Sequence, residues 1–376
     1  MVPLSDFLAE YKELNTNNRF RPVAVGRYGI RTRESIYSKE LAQDYSKNKL
    51  IYKDTLTVGM GSVQMDIGIL TDDITYSVSP AYHTYRINGI NCDYLRFCLQ
   101  ARNADMFERY KKRGSRQGKS IDLKAWLHYL IPVYEIDGQL QIVSTLHKIQ
   151  SIIDDRMQQL QKLDDLVKAR FVEMFGTLDN PARQFEYFTL KELCSKITDG
   201  KHGGCIQESG TQRYFVGARE IYDDEVHYDT APEISIADFE KDYKRCNLEI
   251  GDFLIVNTGA TIGKSAIASD YRTEKTLLQK SVALLKVKRE VLDPIFLKWC
   301  YRVNANMYMV ESASAQPNLL LSKINSTKIY VPEIELQSQF SSFVQQIAKS
   351  KFVESIHVLK LIKEAIAKEV SHDRIR

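Results

Sequence analysis

The chain has little of what most enzymes display. It contains no HExxH and no GxSxG, and no Rossmann-type glycine-rich turn follows a strand. These absences argue against a zinc hydrolase, a serine hydrolase and a dinucleotide enzyme. Nine prolines are present and no two are adjacent, which removes the paired-proline motif of an adenine-amino methyltransferase. The six cysteines, Cys92, Cys98, Cys194, Cys205, Cys246 and Cys300, form no CxxC pair, and no histidine stands at zinc-ligand spacing from them. They read as reduced thiols, several of them buried, in a cytosolic protein. No apolar run is long enough to span a membrane, and Val2-Pro3-Leu4-Ser5-Asp6 opens like a soluble domain rather than a secretory signal. Gly259-Ala260-Thr261-Ile262-Gly263-Lys264-Ser265 comes close to a phosphate-binding P-loop, but Thr258 stands where that motif needs glycine. A tight turn between strands is the expectation there.

What is present is periodic. The 376 residues suffice for two domains. Ile153, Met157, Leu160, Leu163, Val167 and Phe171 are spaced as one apolar helical stripe. Phe352, Ile356, Leu359, Ile362, Ile366 and Val370 repeat the same spacing 199 residues later. Charged and amide residues fill the intervals, so each segment predicts a long helix with one near-heptad seam. Gly176 and Pro181 should stop the first helix, which at 1.5 Å per residue from Gln139 to Phe175 would be about 55 Å long. A helix so one-sided needs a partner, and the second copy is the natural one.

The segments before the helices repeat as well. Leu50, Tyr52, Asp54, Leu56, Val58 and Gly61 correspond to Leu248, Ile250, Asp252, Leu254, Val256 and Gly259. Leu95-Arg96-Phe97-Cys98 matches Leu297-Lys298-Trp299-Cys300. Ile131-Pro132 with Gln139-Leu140 is aligned with Val331-Pro332 and Gln339-Phe340. Both modules read as mixed α+β, with short β-rich runs followed by a helix.

Charge is unevenly placed. Residues 1–140 carry 20 Lys+Arg against 16 Asp+Glu, and the remainder is balanced, so the whole surplus lies in the first module. Arg109, Lys111, Lys112, Arg113, Arg116 and Lys119 form one basic cluster; Arg19, Arg21, Arg27, Arg31 and Arg33 form another. The second module offers Lys201, His202, Arg213, Arg219, Lys264 and Lys280. Each cluster alone suits an ordinary solvated surface as well as a polyanion. Arginine beside Gly and Ser suits a phosphate backbone and a base edge.

Taken together, these residues resemble the specificity (S) subunit of Type I restriction-modification systems over nearly the whole chain. Ile197-Thr198-Asp199-Gly200-Lys201-His202-Gly203 is similar to the family's Asp-Gly-x-His loop. Gly251-Asp252-Phe253-Leu254, followed by Thr258 to Lys264, is similar to its central strand-turn-strand. Gln316, Ile329-Tyr330-Val331-Pro332 and Gln339 resemble the signature that leads into the family's helix. Val78-Ser79-Pro80-Ala81-Tyr82 and Gly114-Ser115-Arg116-Gln117 are family-like in the first module, which lacks the Asp-Gly-x-His loop.

The resemblance implies an α/β (mixed α+β) fold of two pseudo-twofold-related target-recognition domains joined by two long antiparallel coiled-coil helices. Its parts would be a first recognition domain at 1–138, a spacer helix at 139–175, a linker at 176–185, a second recognition domain at 186–334 and a second spacer helix at 335–376. The implied function is non-catalytic: to bind double-stranded DNA at a bipartite, asymmetric site. The implied partners are two methyltransferase subunits, which use S-adenosylmethionine, and motor-nuclease subunits, which use ATP and magnesium; this subunit itself would hold no cofactor and no metal. Loop chemistry nominates Arg31, Arg33, Ser115, Arg116 and Gln117 for DNA contact in the first module. In the second it nominates Lys201, His202, Thr261, Lys264, Ser314 and Gln316. Two alternatives stand beside this reading: a specificity subunit of a related non-Type-I methylase-nuclease, and a coiled-coil scaffold that binds proteins without reading DNA.

Overall fold

The computed structural model describes residues 1–26, 29–36, 44–113, 119–304, 307 and 318–351. They fall into two compact units, residues 1–152 and 153–376, and the division lies inside a single 40-residue helix, Ile136–Phe175. That helix starts three residues before the expected Gln139 and is about 60 Å long at 1.5 Å per residue. It ends where expected. Gly176 has φ +75° and donates to the Val172 carbonyl, and a Cβ on it would lie 2.3 Å from the Asn180 carbonyl oxygen. Only glycine closes the helix this way.

Each unit is built on a four-stranded antiparallel sheet, and the strand order is the same in both. In the first unit the order is Leu8–Tyr11, His83–Ile87, Thr55–Met60, Met65–Leu70. In the second it is Cys194–Asp199, Val282–Val287, Phe253–Val256, Ser265–Ile267. The central strands carry the residues aligned from sequence: Leu56 and Val58 are fully buried in one, Leu254 and Val256 in the other. A short antiparallel pair closes each unit, Val2–Pro3 with Leu130–Ile131 and Glu186–Thr189 with Lys328–Val331. The helices Cys92–Ala101 and Pro294–Val303 contain the matched Leu95–Cys98 and Leu297–Cys300 segments.

The frames diverge beside the sheet. Lys49–Ile51 pairs antiparallel with Tyr76–Val78, whereas Tyr214–Val216 pairs parallel with Thr276–Leu278. The second unit also carries a helix, Ile236–Cys246, capped by the Ser235 side chain, with no counterpart among the described residues of the first.

A buried glutamine joins each frame to its long helix. Gln139 accepts from the Asn91 N–H with Oε1 at 2.9 Å and donates through Nε2 to the Tyr134 carbonyl at 2.8 Å. Gln337 accepts from the Asp293 N–H at 2.8 Å and donates to the carbonyls of Pro332 and Val291 at 2.7 and 3.0 Å. Asn91 and Asp293 are the N-caps of the two matched helices. This corrects one alignment: the partner of Gln139 is Gln337, not Gln339. A two-residue slip turns a helix by about 200°, enough to exchange its faces. Leu140 is accordingly 48% exposed while Phe340 is fully buried.

The apolar stripe of the long helix is graded. Ile153, Leu160 and Leu163 are half-buried and Met157 is exposed, whereas Val167 and Phe171 are buried. The buried end meets the core of the second unit, where Phe171, Phe175, Phe296 and Phe340 lie with ring centroids 5.0 to 5.6 Å apart. A second helix is described over 334–351. Phe340 packs on Phe171 and Phe175, and Lys351 pairs with Asp164 at 2.5 Å. Partners descend along one helix as they ascend along the other, so these turns run antiparallel. The expected seam from Phe352 to Val370 lies outside the described residues.

Removing a glutamine amide leaves buried backbone groups unpaired, at ~1–3 kcal/mol each. Gln337→Ala is expected to lower stability by roughly 2–4 kcal/mol, read as a drop in the urea midpoint, while Leu140→Ala stays within about 0.5 kcal/mol.

Candidate nucleic-acid interface

In the second unit five connections are laced together by backbone hydrogen bonds. Lys201 N–H donates to the Leu278 carbonyl at 2.7 Å, and Gln279 N–H to Val216 at 2.8 Å. Asn257 N–H donates to Ser281 at 3.0 Å and Leu319 N–H to Asn257 at 2.7 Å. Ala218 N–H reaches the Ser281 hydroxyl at 3.3 Å. The segments 200–203, 217–220, 257–264, 279–281 and 318–319 therefore form one loop cluster at one end of the sheet. His202, Arg219, Lys264 and Lys280 are exposed on it. Such a patch of cations on glycine-rich loops can neutralise phosphates and reach base edges.

The near-P-loop segment is a turn between Phe253–Val256 and Ser265–Ile267, so no helix follows it to bind a phosphate. Gly259 and Gly263 take φ +101° and +90°, and Ile262 anchors the turn in the core. Thr261 is half-buried and Lys264 exposed on this turn. Thr258 Oγ1 donates to Asn318 Oδ1 at 3.2 Å, which ties the turn to the chain just after Gln316.

The Asp199-Gly200-Lys201-His202 segment is held by side chains from the helix Ile236–Cys246. Gly200 crosses the backbone so closely that a Cβ would lie 2.1 Å from the Leu278 carbonyl oxygen. Arg245 Nε donates to the carbonyls of Asp199 and Gly200, both at 2.9 Å, and its Nη2 pairs with Asp199 Oδ1. Asp199 Oδ2 lies 3.1 Å from His202 Nε2. Partial burial pushes the Asp199 carboxyl up, but the hydrogen bonds from Arg245 and His202 outweigh it and hold the group below the usual carboxylate range.

Lys201, nominated as a DNA contact, has its ammonium 2.7 Å from Asp242 and 3.5 Å from Asp238 and is only 14% exposed. In this structure its charge serves the loop. Of the second-module nominations, Lys201, His202, Thr261 and Lys264 fall in the one cluster, while Ser314 and Gln316 lie outside the described residues. Sequence reasoning did not single out Asn257, which is 4% exposed with an unpartnered Oδ1, nor Asn318. Their signal was faint: two asparagines 61 residues apart that only the fold brings together.

The first unit builds its loops differently. Near its end the strand Thr55–Met60 is packed against Tyr82, whose ring a Cβ on Gly59 would overlap, and the Tyr82 hydroxyl donates to the Val25 carbonyl at 2.9 Å. Arg31 is exposed on the strand Gly29–Thr32, beside a groove of about 280 Å³ that Arg96, Gln100 and Asp72 also line. Arg33 is held over the Tyr45 ring, 5.0 Å from its centroid. Ser115, Arg116 and Gln117 lie outside the described residues. In the basic cluster around them, Arg109 pairs with Asp105, Lys111 with Glu108 and Lys112 with Asp122. Those cations are less available to a polyanion than their spacing suggests, although exposed pairs of this kind are weak and exchange readily.

Among the described residues no three His, Cys, Asp or Glu side chains converge as metal ligands would, and no helix is long and apolar enough to cross a membrane. All six cysteines are unpaired. Burial pushes the Cys194 and Cys300 thiols up to about 12.

No curated protein matches the chain in sequence. Residues 182–361 match the family of the Type I restriction modification DNA specificity domain. One solved chain, from a structure describing complex assembly and conformational transition of the type I R-M system, is 15% identical, with a TM-score of 0.55 over 97% of this chain and 95% of its own. The Type-I restriction-modification S subunit from M. genitalium is 13% identical over 97% and 93%, with a TM-score of 0.47. The HsdS subunit from Thermoanaerobacter tengcongensis is 16% identical over 98% and 95%, with a TM-score of 0.39. The second module thus matches a family of DNA specificity domains, and the first module repeats its strand frame. More particularly, the chain as a whole shares its fold with a chain of the type I R-M system.

Gly200→Ala is expected to force the loop away from Leu278 and cost roughly 1–3 kcal/mol in urea unfolding, as overpacking does. The Asp199 carboxyl is held low in the folded state, so its contribution to stability is present above the unfolded value of about 3.9 and is lost as pH falls below it. The stability gap between wild type and Asp199→Asn should therefore be full at pH 7 and shrink below about pH 4, measured by urea midpoints across that range.

Proposed function

We propose that this chain is the sequence-reading subunit of a restriction-modification complex. Each module reads its own half of a bipartite, asymmetric double-stranded site. The observation that carries the reading is the sheet frame built twice with different loops on it. A repeated frame supports a shared mode of docking; unlike loops support unlike half-sites. The subunit performs no bond chemistry and holds no cofactor. Two methyltransferase subunits bring S-adenosylmethionine, and motor-nuclease subunits bring ATP and magnesium. The complex works in the cytoplasm, on DNA.

Within the second module, Lys264, Lys280 and Arg219 serve the phosphate backbone, and His202 and Thr261 face base edges. Lys201 acts indirectly, by holding its loop against Asp242. In the first module Arg31 and Arg33 take the corresponding part with Ser115, Arg116 and Gln117, and Ser314 and Gln316 extend the second module's contacts.

Phosphate contacts release counterions, which gives binding a steep salt slope. Replacing Lys264 and Lys280 together by Ala is expected to weaken duplex binding about equally for all sequences and to lower the slope of log K against log salt by about 2, at roughly one per phosphate contact. The measurement is fluorescence anisotropy of the assembled complex with methyltransferase across a salt series. Binding without a salt slope in the wild type would instead favour a protein scaffold.

A further inference from the structure

We propose that Asp199 and Arg245 are positioning residues for His202, fixing its imidazole so that Nδ1 is presented as a hydrogen-bond acceptor to an exocyclic amino group of adenine or cytosine in the half-site read by the second module. The proposal rests on the DNA-reading role given above and adds a base class to it.

The argument starts from the carboxylate. Asp199 Oδ1 is engaged by the Arg245 guanidinium and Oδ2 lies 3.1 Å from His202 Nε2. An ionised carboxylate only accepts hydrogen bonds, so Nε2 must carry the proton. In a neutral ring the other nitrogen is then an acceptor, and Nδ1 has no partner among the described residues. The Asp199 side chain is 15% exposed and that of His202 is 61% exposed, so the orienting group is shielded while the ring faces solvent.

The orienting group is itself fixed. Arg245 Nε bridges the carbonyls of Asp199 and Gly200, Gly200 N–H donates to the Val282 carbonyl at 3.1 Å, and Gly200 is packed against the Leu278 backbone. Lys201 is drawn the other way, onto Asp238 and Asp242. Arg245, Asp238 and Asp242 all come from the helix Ile236–Cys246, the element the first unit's described residues do not repeat. One helix therefore supplies both polarities of clamp to the four-residue loop.

Base preference follows from groove chemistry. In the major groove adenine and cytosine present an amino donor, whereas guanine presents the O6 and N7 acceptors and thymine the O4 acceptor. An Nδ1 acceptor bonds the first pair and repels the second. Lys264 and Lys280 attract phosphate without regard to base and do not blur this preference.

The test is selection from a library of randomised duplexes by the full chain at pH 8. Wild type is expected to restrict one position of the second half-site to adenine or cytosine by about 5-fold, the worth of one net hydrogen bond of ~1 kcal/mol. His202→Phe should lose that restriction and keep the others. Asp199→Asn, whose amide both donates and accepts, should release the ring to either tautomer and relax the position although His202 remains. Arg245→Lys should retain part of the restriction and Arg245→Met none. In parallel, ¹⁵N spectra of histidine-labelled chain should place the His202 proton on Nε2 in wild type and on both nitrogens in Asp199→Asn. If His202→Phe selects the same bases at every position, or the wild-type proton sits on Nδ1, the proposal is overturned while DNA reading stands. If wild type enriches no sequence at all, the reading beneath it falls, and this inference with it.

Discussion

A buried amide holds a helix to the sheet frame in each module, and the rest of each module's packing depends on that bond. Gln139 and Gln337 each accept the N–H of a helix-capping residue with one atom and donate with the other, to one carbonyl and to two respectively. The group is almost fully shielded from water, so the bonds cannot be exchanged for solvent and the geometry is specified, not merely favoured. Phe171 and Phe175 are buried in the core of the second unit.

The two modules show how one frame supports different surfaces. The sheet order, the closing strand pair, the capped helix and the glutamine are all held in common. The divergence lies where backbone pairing gives way to loops: a parallel pair in place of an antiparallel one, and an added helix that clamps a loop with Arg245, Asp238 and Asp242. Burial constrains the frame because a misplaced apolar side chain costs core contacts, whereas loops at the sheet end can change their polar groups freely.

Much of the frame was legible in the sequence. The repeated spacing of apolar residues gave the long helix and its stop at Gly176, and the offset of 198 gave the central strands, because periodicity follows directly from backbone geometry. The alignment of Gln139 with Gln339 failed because neighbouring residues offered no local reason to prefer Gln337; the choice is made by the capping N–H of Asp293, 44 residues away. The candidate site was legible in part. Lys264 and His202 stand exposed as their loop chemistry suggested, but Lys201, by composition the equal of Lys264, faces two carboxylates from a distant helix. The cluster from Arg109 to Lys119 looked uniformly cationic only because the acids that pair with it, Asp105, Glu108 and Asp122, flank it and interleave with no basic residue.

The sequence by itself determined the duplication, the class of fold and the family resemblance, because these rest on spacing and residue type along the chain. Tertiary structure alone decided which polar groups face outward. A lysine, an aspartate and a histidine within four residues read alike on the page. In the fold, Arg245 turns Asp199 inward, Asp242 takes Lys201, and only His202 is left to the solvent. Charge pairing acts through space over a few ångströms, and the partners that decide it lie some forty residues away along the chain.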